Sequence, residues 1–174
     1  MKELLLRSIL TKNLKESEIF DICKIKNTHW KYGIKSQLNW FKKYIRDNDI
    51  HNLAYLEEKL VGYGLLRNRS FVYKKIKKNY LYYDTLVISK KYRKLRIGKK
   101  LSELIIKTIK KLKLHAMLIC EKKIVDFHKK YEWKKKEKSK SQILDHKYSK
   151  KLSMMCFNQK EILMKCKIEY FIFS

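Results

Sequence analysis

Apolar residues that recur every three or four positions predict two helices early in the chain, over residues 16–27 and 36–47. The first stripe is formed by Ile19, Phe20, Ile22 and Cys23, and the second by Leu38, Phe41, Tyr44 and Ile45. Ser36 has the side chain of a helix N-cap, so we expect it to begin the second helix.

Apolar runs without helical spacing predict strands in the middle of the chain. Residues 53–56 and 60–66 flank the polar turn Glu57-Glu58-Lys59 and form a predicted hairpin. Residues 79–89 are rich in Tyr, Leu, Val and Ile with little polar alternation. This pattern predicts a central strand that is covered on both faces.

A second helical stripe follows, formed by Leu101, Leu104, Ile105, Thr108, Ile109 and Leu112. We then expect a strand over 114–120, a helix over 123–133 and two final strands over 152–157 and 167–173. This order predicts an α/β fold with a mixed central β-sheet and helices on both faces. The length suits a single domain over residues 1–174, in which 133–151 form a basic loop.

The strong positive charge has two explanations. The chain has 44 Lys and Arg against 17 Asp and Glu, a formal net charge of +27. Only six of these cations are Arg, glycine is rare and proline is absent, as in proteins from A+T-rich genomes. The charge therefore reflects either codon bias or a polyanionic partner. Nucleic acid would be such a partner, and we consider it the less favoured explanation of the charge.

Several classes of protein are disfavoured by what the sequence lacks. The four cysteines form no C-x-x-C pair, and no Cys/His spacing matches a zinc site, so we expect no metal. No apolar run has the length of a membrane span, and residues 1–10 lack the pattern of a secretory signal. We expect a cytoplasmic protein with reduced thiols, and a homodimer stays open.

The segment around Gly98 has the features of a phosphate site. Residues 90–113 contain eleven basic residues and one acid, Glu103, and a helix begins among them. A helix N-terminus offers unpaired amides, and glycine permits close approach of a ligand. Because Lys100 and Arg93 replace required residues, this is not a P-loop, and too few glycines remain for a dinucleotide-binding fingerprint.

Strand, "YRKLRIG", amphipathic helix, strand and "FHKKYEW" together resemble the GNAT superfamily of acetyl-CoA-dependent N-acetyltransferases. The family signature is Arg/Gln-x-x-Gly-x-Gly/Ala, which Arg93 and Gly98 match, whereas Arg96 replaces the first glycine. In the second motif, Phe-Tyr-x-x-x-Gly-Phe, His128 replaces tyrosine and Glu132 replaces glycine. The resemblance extends over residues 19–133.

The resemblance implies that acetyl-CoA is the co-substrate. Backbone groups of Leu86, Val87 and Ile88 would pair with the pantetheine arm, and an amide near Leu86 or Val87 would polarise the thioester carbonyl. The pyrophosphate would be held at the start of the helix by Arg93, Lys94, Arg96, Ile97, Gly98, Lys99 and Lys100.

The resemblance also suggests where proton transfer occurs. His128 aligns with the family's tyrosine and, with an ordinary pKa of about 6.5, would protonate the leaving thiolate. Tyr131, one helical turn later, is the alternative acid. Asp84 is the only acid in the central strand, where alternation places it with Tyr82, Leu86 and Ile88. It would act as general base, orient the amine, or serve structure alone.

The leading hypothesis is N-acetylation of a small-molecule primary amine by direct attack. A basic surface favours a neutral or anionic acceptor, and His29 with Trp30 would line its site, whereas Trp40 suits the core. O-acetylation stays open. The alternatives are a basic nucleic-acid-binding module without catalysis and a degenerate acetyltransferase fold that only binds a partner.

Overall fold

The computed structural model describes residues 3–73, 75–135, 141–143, 152–157 and 168–170. The α-helices are α1 (Glu16–Asn27), α2 (Ile34–Tyr44), α3 (Ile97–Leu112) and α4 (Val125–Lys129). The strands are β1 (Leu4–Leu10), β2 (Ile50–Leu56), β3 (Lys59–Tyr73), β4 (Ile76–Ile88), β5 (His115–Glu121), β6 (Lys134–Lys135), β7 (Ser141–Ile143), β8 (Leu152–Phe157) and β9 (Ile168–Tyr170). Short 3₁₀ helices cover Thr11–Asn13, Lys90–Leu95 and Lys122–Ile124.

Seven of the described strands form one sheet in the order β1-β2-β3-β4-β5-β8-β6. The pairs β1–β2, β2–β3, β5–β8 and β6–β8 are antiparallel, whereas β4 and β5 are parallel. Strands β7 and β9 form a separate parallel pair. The predicted α/β fold with a mixed sheet and a central β4 is therefore confirmed.

The apolar pattern predicted the positions of the first two helices, but not every detail of their faces and caps. Helix α1 has the predicted bounds, but Phe20 is 42% exposed, and Lys26 lies on the buried side instead. Helix α2 begins at Ile34, because Gly33 adopts a φ of 85° and starts the helix there. The prediction that Ser36 caps this helix is therefore wrong.

The predicted strands over 53–56, 60–66 and 79–89 correspond to β2, β3 and β4, each of which is longer than predicted. The hairpin between β2 and β3 forms, and its turn residues Glu57 and Glu58 have φ values of 49° and 64°. Two consecutive positive φ angles are typical of a tight two-residue hairpin turn. Strand β1 had no counterpart among the predicted elements, because its buried and exposed positions do not alternate regularly.

The second half of the chain departs further from the predicted elements. The helix predicted over 123–133 is reduced to a 3₁₀ turn and the five-residue α4. The predicted basic loop contains the short strands β6 and β7, and the rest of its residues beyond 135 lie outside the described part. Strand β8 has the predicted bounds, whereas β9 is the described part of the last predicted strand.

The chain forms two compact units, and each has its own packed interior. The first unit comprises Met1–Asn68 and Asp84–Thr108, and the second Arg69–Tyr83 and Ile109–Ser174. The core of the first unit is formed by Ile22, Cys23, Ile25, Phe41, Leu53, Tyr63, Leu65 and Val87. The second unit contains a group of packed rings, formed by Tyr83, Phe127, His128, Tyr131, Trp133 and Phe157.

Two glycines of β3 allow α3 to lie close to the sheet. A Cβ atom on Gly62 would lie 3.0 Å from Ile88 Cδ1, 3.1 Å from Ile97 Cγ2 and 3.2 Å from Ala54 Cβ. On Gly64 it would lie 2.6 Å from Ile105 Cδ1. Larger residues would therefore displace the helix, and with it the position at which α3 begins.

We predict that Gly62→Ala destabilises the protein by about 1–3 kcal/mol, as overpacking of a filled core does. The methyl group would be crowded on three sides, and one neighbour, the Ala54 Cβ, cannot rotate away. Gly98→Ala is the matched control, because its Cβ would meet only Ile88 Cγ1 at an ordinary 3.6 Å. Chemical denaturation measures both variants, and equal stability of the two would contradict this packing.

His128 provides a second prediction, on the pH dependence of stability. Burial lowers its pKa from 6.5 to about 4. Between these values the unfolded chain binds a proton that the folded protein does not, so stability falls as the pH drops from 6.5 to 4. We expect His128→Gln to abolish roughly 2 kcal/mol of this loss.

The measurement is the free energy of unfolding at pH 7, 5.5 and 4.5 for wild type, His128→Gln and the control His29→Gln, which changes an exposed histidine. If the free energy of unfolding changed with pH equally in wild type and His128→Gln, the lowered pKa of His128 would be contradicted.

Candidate active site

The start of α3 presents unpaired backbone amides. The first described bond of this helix is donated by the Lys100 N–H to the Arg96 carbonyl at 3.1 Å. The amides of Ile97, Gly98 and Lys99 therefore precede the hydrogen-bonded part of the helix, and no acidic residue lies in its first turn. Such an end carries a partial positive charge and binds anions, phosphate above all.

Gly98 is required by neither the backbone nor the packing of the described residues. It lies within α3, and its φ is not in the left-handed region. A Cβ atom there would make an ordinary contact with Ile88. Because glycine in a helix costs about 0.5–1 kcal/mol relative to alanine, close approach of a ligand is the better explanation for it.

The two residues that replace glycines of the GNAT motifs keep a left-handed backbone. Arg96 has φ 56° and ψ 17°, and Glu132 has φ 65°. A residue with a Cβ atom pays roughly 1–2 kcal/mol for this conformation. Both positions therefore have a backbone conformation that glycine adopts more readily.

The end of β4 is joined to this helix start by the 3₁₀ helix Lys90–Leu95. Its ladder with β5 runs from Tyr80 opposite His115 to Tyr83 opposite Leu118, and residues 84–88 lie beyond it. Val87 is buried, whereas Leu86 and Ile88 are half-buried. The Ile88 carbonyl accepts a hydrogen bond of 3.3 Å from Arg93 Nε, which fixes the basic turn to the strand.

The cationic side chains around the helix start face solvent. Arg93, Lys94, Arg96, Lys99 and Lys100 are all exposed. Lys99 forms an ion pair of 3.9 Å with Glu103, one helical turn later. The remaining charges create a positive potential where the free amides lie, which favours a polyanionic ligand.

A cluster of buried charges lies in the first unit, around the indole of Trp40. Lys26 Nζ lies 3.5 Å from the ring centroid, and Arg67 Cζ lies 5.8 Å from it. Arg67 also donates from Nη2 to the Tyr44 carbonyl at 3.4 Å. Asp84, at the start of this part of β4, interacts electrostatically with Lys26.

Burial dominates the electrostatics of this cluster. It lowers the pKa of Lys26 from 10.5 to about 8; Asp84 and Cys23 oppose the change, and Arg67 adds to it. Burial also raises the pKa of Tyr63 well above its usual value, and Asp84 contributes. Asp84 therefore interacts electrostatically with residues of α1 and β3. Ile88, four positions later, packs beside Gly62.

His51 belongs to a neutral hydrogen-bonded chain beside this cluster. Its Nδ1 lies 2.9 Å from the Tyr63 hydroxyl, and its Nε2 lies 2.9 Å from Thr11 Oγ1. Burial, followed by the charge of Lys26, lowers the pKa of His51 to about 3. With both ring nitrogens engaged, this histidine holds β2, β3 and the turn after β1 together.

The second unit places the two predicted acids on successive turns. His128 is buried, and its ring lies 5.8 Å from that of Tyr83 and 6.3 Å from that of Trp133. The expectation of an ordinary pKa does not hold, because burial lowers it to about 4. Tyr131 is half-buried, its ring lies 5.2 Å from that of Phe127, and its N–H donates to the His128 carbonyl.

The expected acceptor residues follow α1. The rings of His29 and Trp30 meet edge to face at 4.6 Å, with His29 exposed. Trp30 packs against the core of the first unit, and its carbonyl accepts a 2.9 Å bond from Gln37 Nε2. Trp30 therefore joins α1 to α2, and its ring is tied to the core rather than freely displayed.

Sequence reasoning missed Lys26 and Arg67, although the pattern contained a signal for both. Lys26 follows Ile22 by four positions and Cys23 by three, so helical geometry places it on the apolar stripe. Arg67 continues the alternation of Tyr63 and Leu65. A charged residue on an apolar face needs a partner or a function.

Two further classes of site are not found within the described ranges. No three His, Cys, Asp or Glu side chains there converge as metal ligands would. In the same residues, no helix combines the length and the apolar composition that crossing a membrane requires.

Solved structures share this architecture. ElaA from Escherichia coli superimposes with a TM-score of 0.64 and 10% identity, covering 89% of this chain and 99% of its own. PH1933 from Pyrococcus horikoshii superimposes with a TM-score of 0.63 and 18% identity, covering 90% of this chain and 99% of its own. The ribosomal-protein-S18-alanine N-acetyltransferase from E. coli superimposes with a TM-score of 0.58 and 10% identity, covering 88% of this chain and 93% of its own.

No curated protein matches this chain in sequence. The sequence profile of the acetyltransferase (GNAT) family matches residues 17–132, which is more than half of the chain. This range contains the predicted motif residues Arg93, Gly98 and His128. The chain belongs to the GNAT family of acetyltransferases.

Proposed function

We propose that this protein transfers the acetyl group of acetyl-CoA to a primary amine of a small molecule. The observation that carries the proposal is the start of α3, where unpaired amides, Gly98 and a ring of exposed cations occur together. This arrangement suits a diphosphate, which is the most strongly charged part of coenzyme A. Family membership supports the reaction class.

The coenzyme would lie along β4 and end at α3. The pyrophosphate would accept hydrogen bonds from the amides of Ile97, Gly98 and Lys99, while Arg93, Lys94, Arg96 and Lys100 supply charge. The pantetheine arm would pair with backbone groups of Leu86, Val87 and Ile88. The position of these residues beyond the ladder with β5 supports this pairing.

The amine would attack the thioester directly while both reactants are held in register. A backbone N–H near Leu86 or Val87 would stabilise the oxyanion of the tetrahedral adduct. Asp84 would receive the amine and accept its proton directly or through water. Its location in the charged cluster of the first unit supports a role in orienting the acceptor.

The leaving thiolate needs a proton, and Tyr131 is better suited to give it than His128. With a pKa of about 4, His128 is neutral at pH 7, and little of the imidazolium acid is present. Tyr131 carries a hydroxyl group that can donate a proton. His128 would then serve mainly to position the turn that carries Tyr131, to whose N–H it is bonded through its carbonyl.

The acceptor would be a neutral or anionic amine, because a protein of net charge +27 repels polycations. His29 and Trp30 would contribute to one wall of its site. The E. coli relative named for ribosomal protein S18 shows that this fold also accommodates a protein amine. The free cysteines Cys23, Cys120 and Cys156 are consistent with a cytoplasmic location.

The proposal is tested by release of free thiol from acetyl-CoA in the presence of a panel of amines. We expect Gly98→Glu to raise KM for acetyl-CoA roughly 10–100-fold, because its carboxylate lies where the diphosphate would bind and repels it. The fold should be retained, since a Cβ atom at this position meets only an ordinary contact. Gly98→Ala is the matched control, because the family signature accepts alanine at this position.

Thiol release that is identical in Gly98→Glu and wild type would contradict the phosphate site. Protein that binds nucleic acid with a steep salt dependence and releases no thiol would favour the nucleic-acid-binding alternative.

We predict that Tyr131→Phe lowers kcat about 10²-fold, the usual effect of losing a general acid. His128→Phe should lower kcat less than about threefold if the fold is retained, because the histidine is neutral. Saturating single-turnover measurements at pH 7 distinguish chemistry from binding. The opposite ranking of the two variants would assign the proton to His128.

A further inference from the structure

The charged cluster of the first unit holds two cations on one indole ring. Lys26 is 7% exposed and Arg67 is 4% exposed. A lysine is almost never buried to this extent without a charged partner. Both lie within reach of Trp40, Lys26 at 3.5 Å and Arg67 at 5.8 Å from the ring centroid. Each cation is attracted to the electron-rich face of the ring, while the two like charges repel each other.

Lys26 in particular lacks a conventional partner. Its Nζ forms no ion pair or hydrogen bond with any residue that the structure describes, and its close contact is the Trp40 ring. Burying a lysine side chain without an anion at bonding distance costs free energy. Burial lowers its pKa to about 8, so it is still mostly protonated at neutral pH.

The surroundings of Lys26 combine both signs of charge. Helix α2 contributes the uncharged Trp40. Four titratable or charged groups interact electrostatically with Lys26: Cys23 on α1, His51 on β2, Arg67 on β3 and Asp84 on β4. Asp84 also interacts electrostatically with Tyr63 on β3. Asp84 is the residue to which the proposed function assigns the acceptor amine, so on that proposal Lys26 would lie near the acceptor.

We propose that Lys26, assisted by Arg67, binds an anionic oxygen group on the acceptor, which is therefore an amine that also carries a carboxylate or a phosphate. This inference rests on the proposed function and narrows its substrate class. Asp84 would take the ammonium end of such an acceptor, and Lys26 the anionic end. Lysine supplies a compact charge and arginine a planar fork, and both bind carboxylate and phosphate.

The test compares matched acceptors that differ in the anionic group. β-Alanine is paired with β-alaninamide, and glucosamine 6-phosphate with glucosamine, so that the two arms distinguish carboxylate from phosphate. In wild type we expect kcat/KM to be at least about tenfold higher for the anionic member of one pair. In Lys26→Met that preference should fall by about tenfold or more, and Lys26→Arg should retain part of it.

Lys24→Met is the matched control. Lys24 lies on the same helix with its ammonium 4.4 Å from the Phe20 ring centroid, but its side chain is 55% exposed. We expect this variant to keep the wild-type preference. Lys26→Met should be as stable as wild type or more stable, because it removes a buried charge and keeps the volume.

A second measurement does not depend on turnover. Lysines labelled with ¹³C at Cε report the titration of Lys26, whose signal is the one lost in Lys26→Met. Replacing chloride by inorganic phosphate at equal ionic strength should raise the pKa of Lys26 from about 8 by roughly one unit or more.

The results separate the two proposals. Equal rates within both pairs, or an unchanged pKa of Lys26 in phosphate, would overturn the anion site and leave acetyl transfer intact if thiol is released. Failure of acetyl-CoA to bind would overturn the proposed function and this inference with it.

Discussion

The close contact between α3 and β3 determines where the start of α3 lies. Gly62 and Gly64 remove side chains where the helix crosses the strand, and atoms of Ile97 and Ile105 occupy the space. Because a helix is rigid, this contact fixes its first turn, which follows β4 after the 3₁₀ helix Lys90–Leu95. The unpaired amides, the Arg93 bond to Ile88 and the basic turn all follow from that placement.

This arrangement is accompanied by backbone strain and by electrostatic repulsion. Arg96 adopts a left-handed conformation at a position where the GNAT motif has glycine. Seven exposed cations between Lys90 and Lys100 repel one another until an anion binds. Lys26 is held in a buried site that lowers its pKa. These costs are concentrated where the chemistry is proposed, which is typical of functional sites.

Periodicity was sufficient for the elements that bury a regular face. The bounds of α1 and β8 and the turn at Glu57-Glu58 followed from pattern alone. Strand β1 lacks regular alternation, and α4 is too short to show a stripe, so neither was predicted correctly. The motif residues around Gly98 were identified from local sequence. The cluster at Lys26 was not, because its members come from α1, α2, β3 and β4 and meet only in the fold.

The most direct test of the central claim is a titration of ¹⁵N-labelled protein with acetyl-CoA, followed by NMR. A diphosphate bound at the start of α3 should shift the amide signals of Gly98 and Lys99 saturably, with the downfield change expected of new hydrogen bonds. The signals of Glu57 and Glu58, in the hairpin turn, should not move. Saturable binding that leaves the signals of Ile97, Gly98 and Lys99 unchanged, or no binding at millimolar acetyl-CoA, would contradict the account.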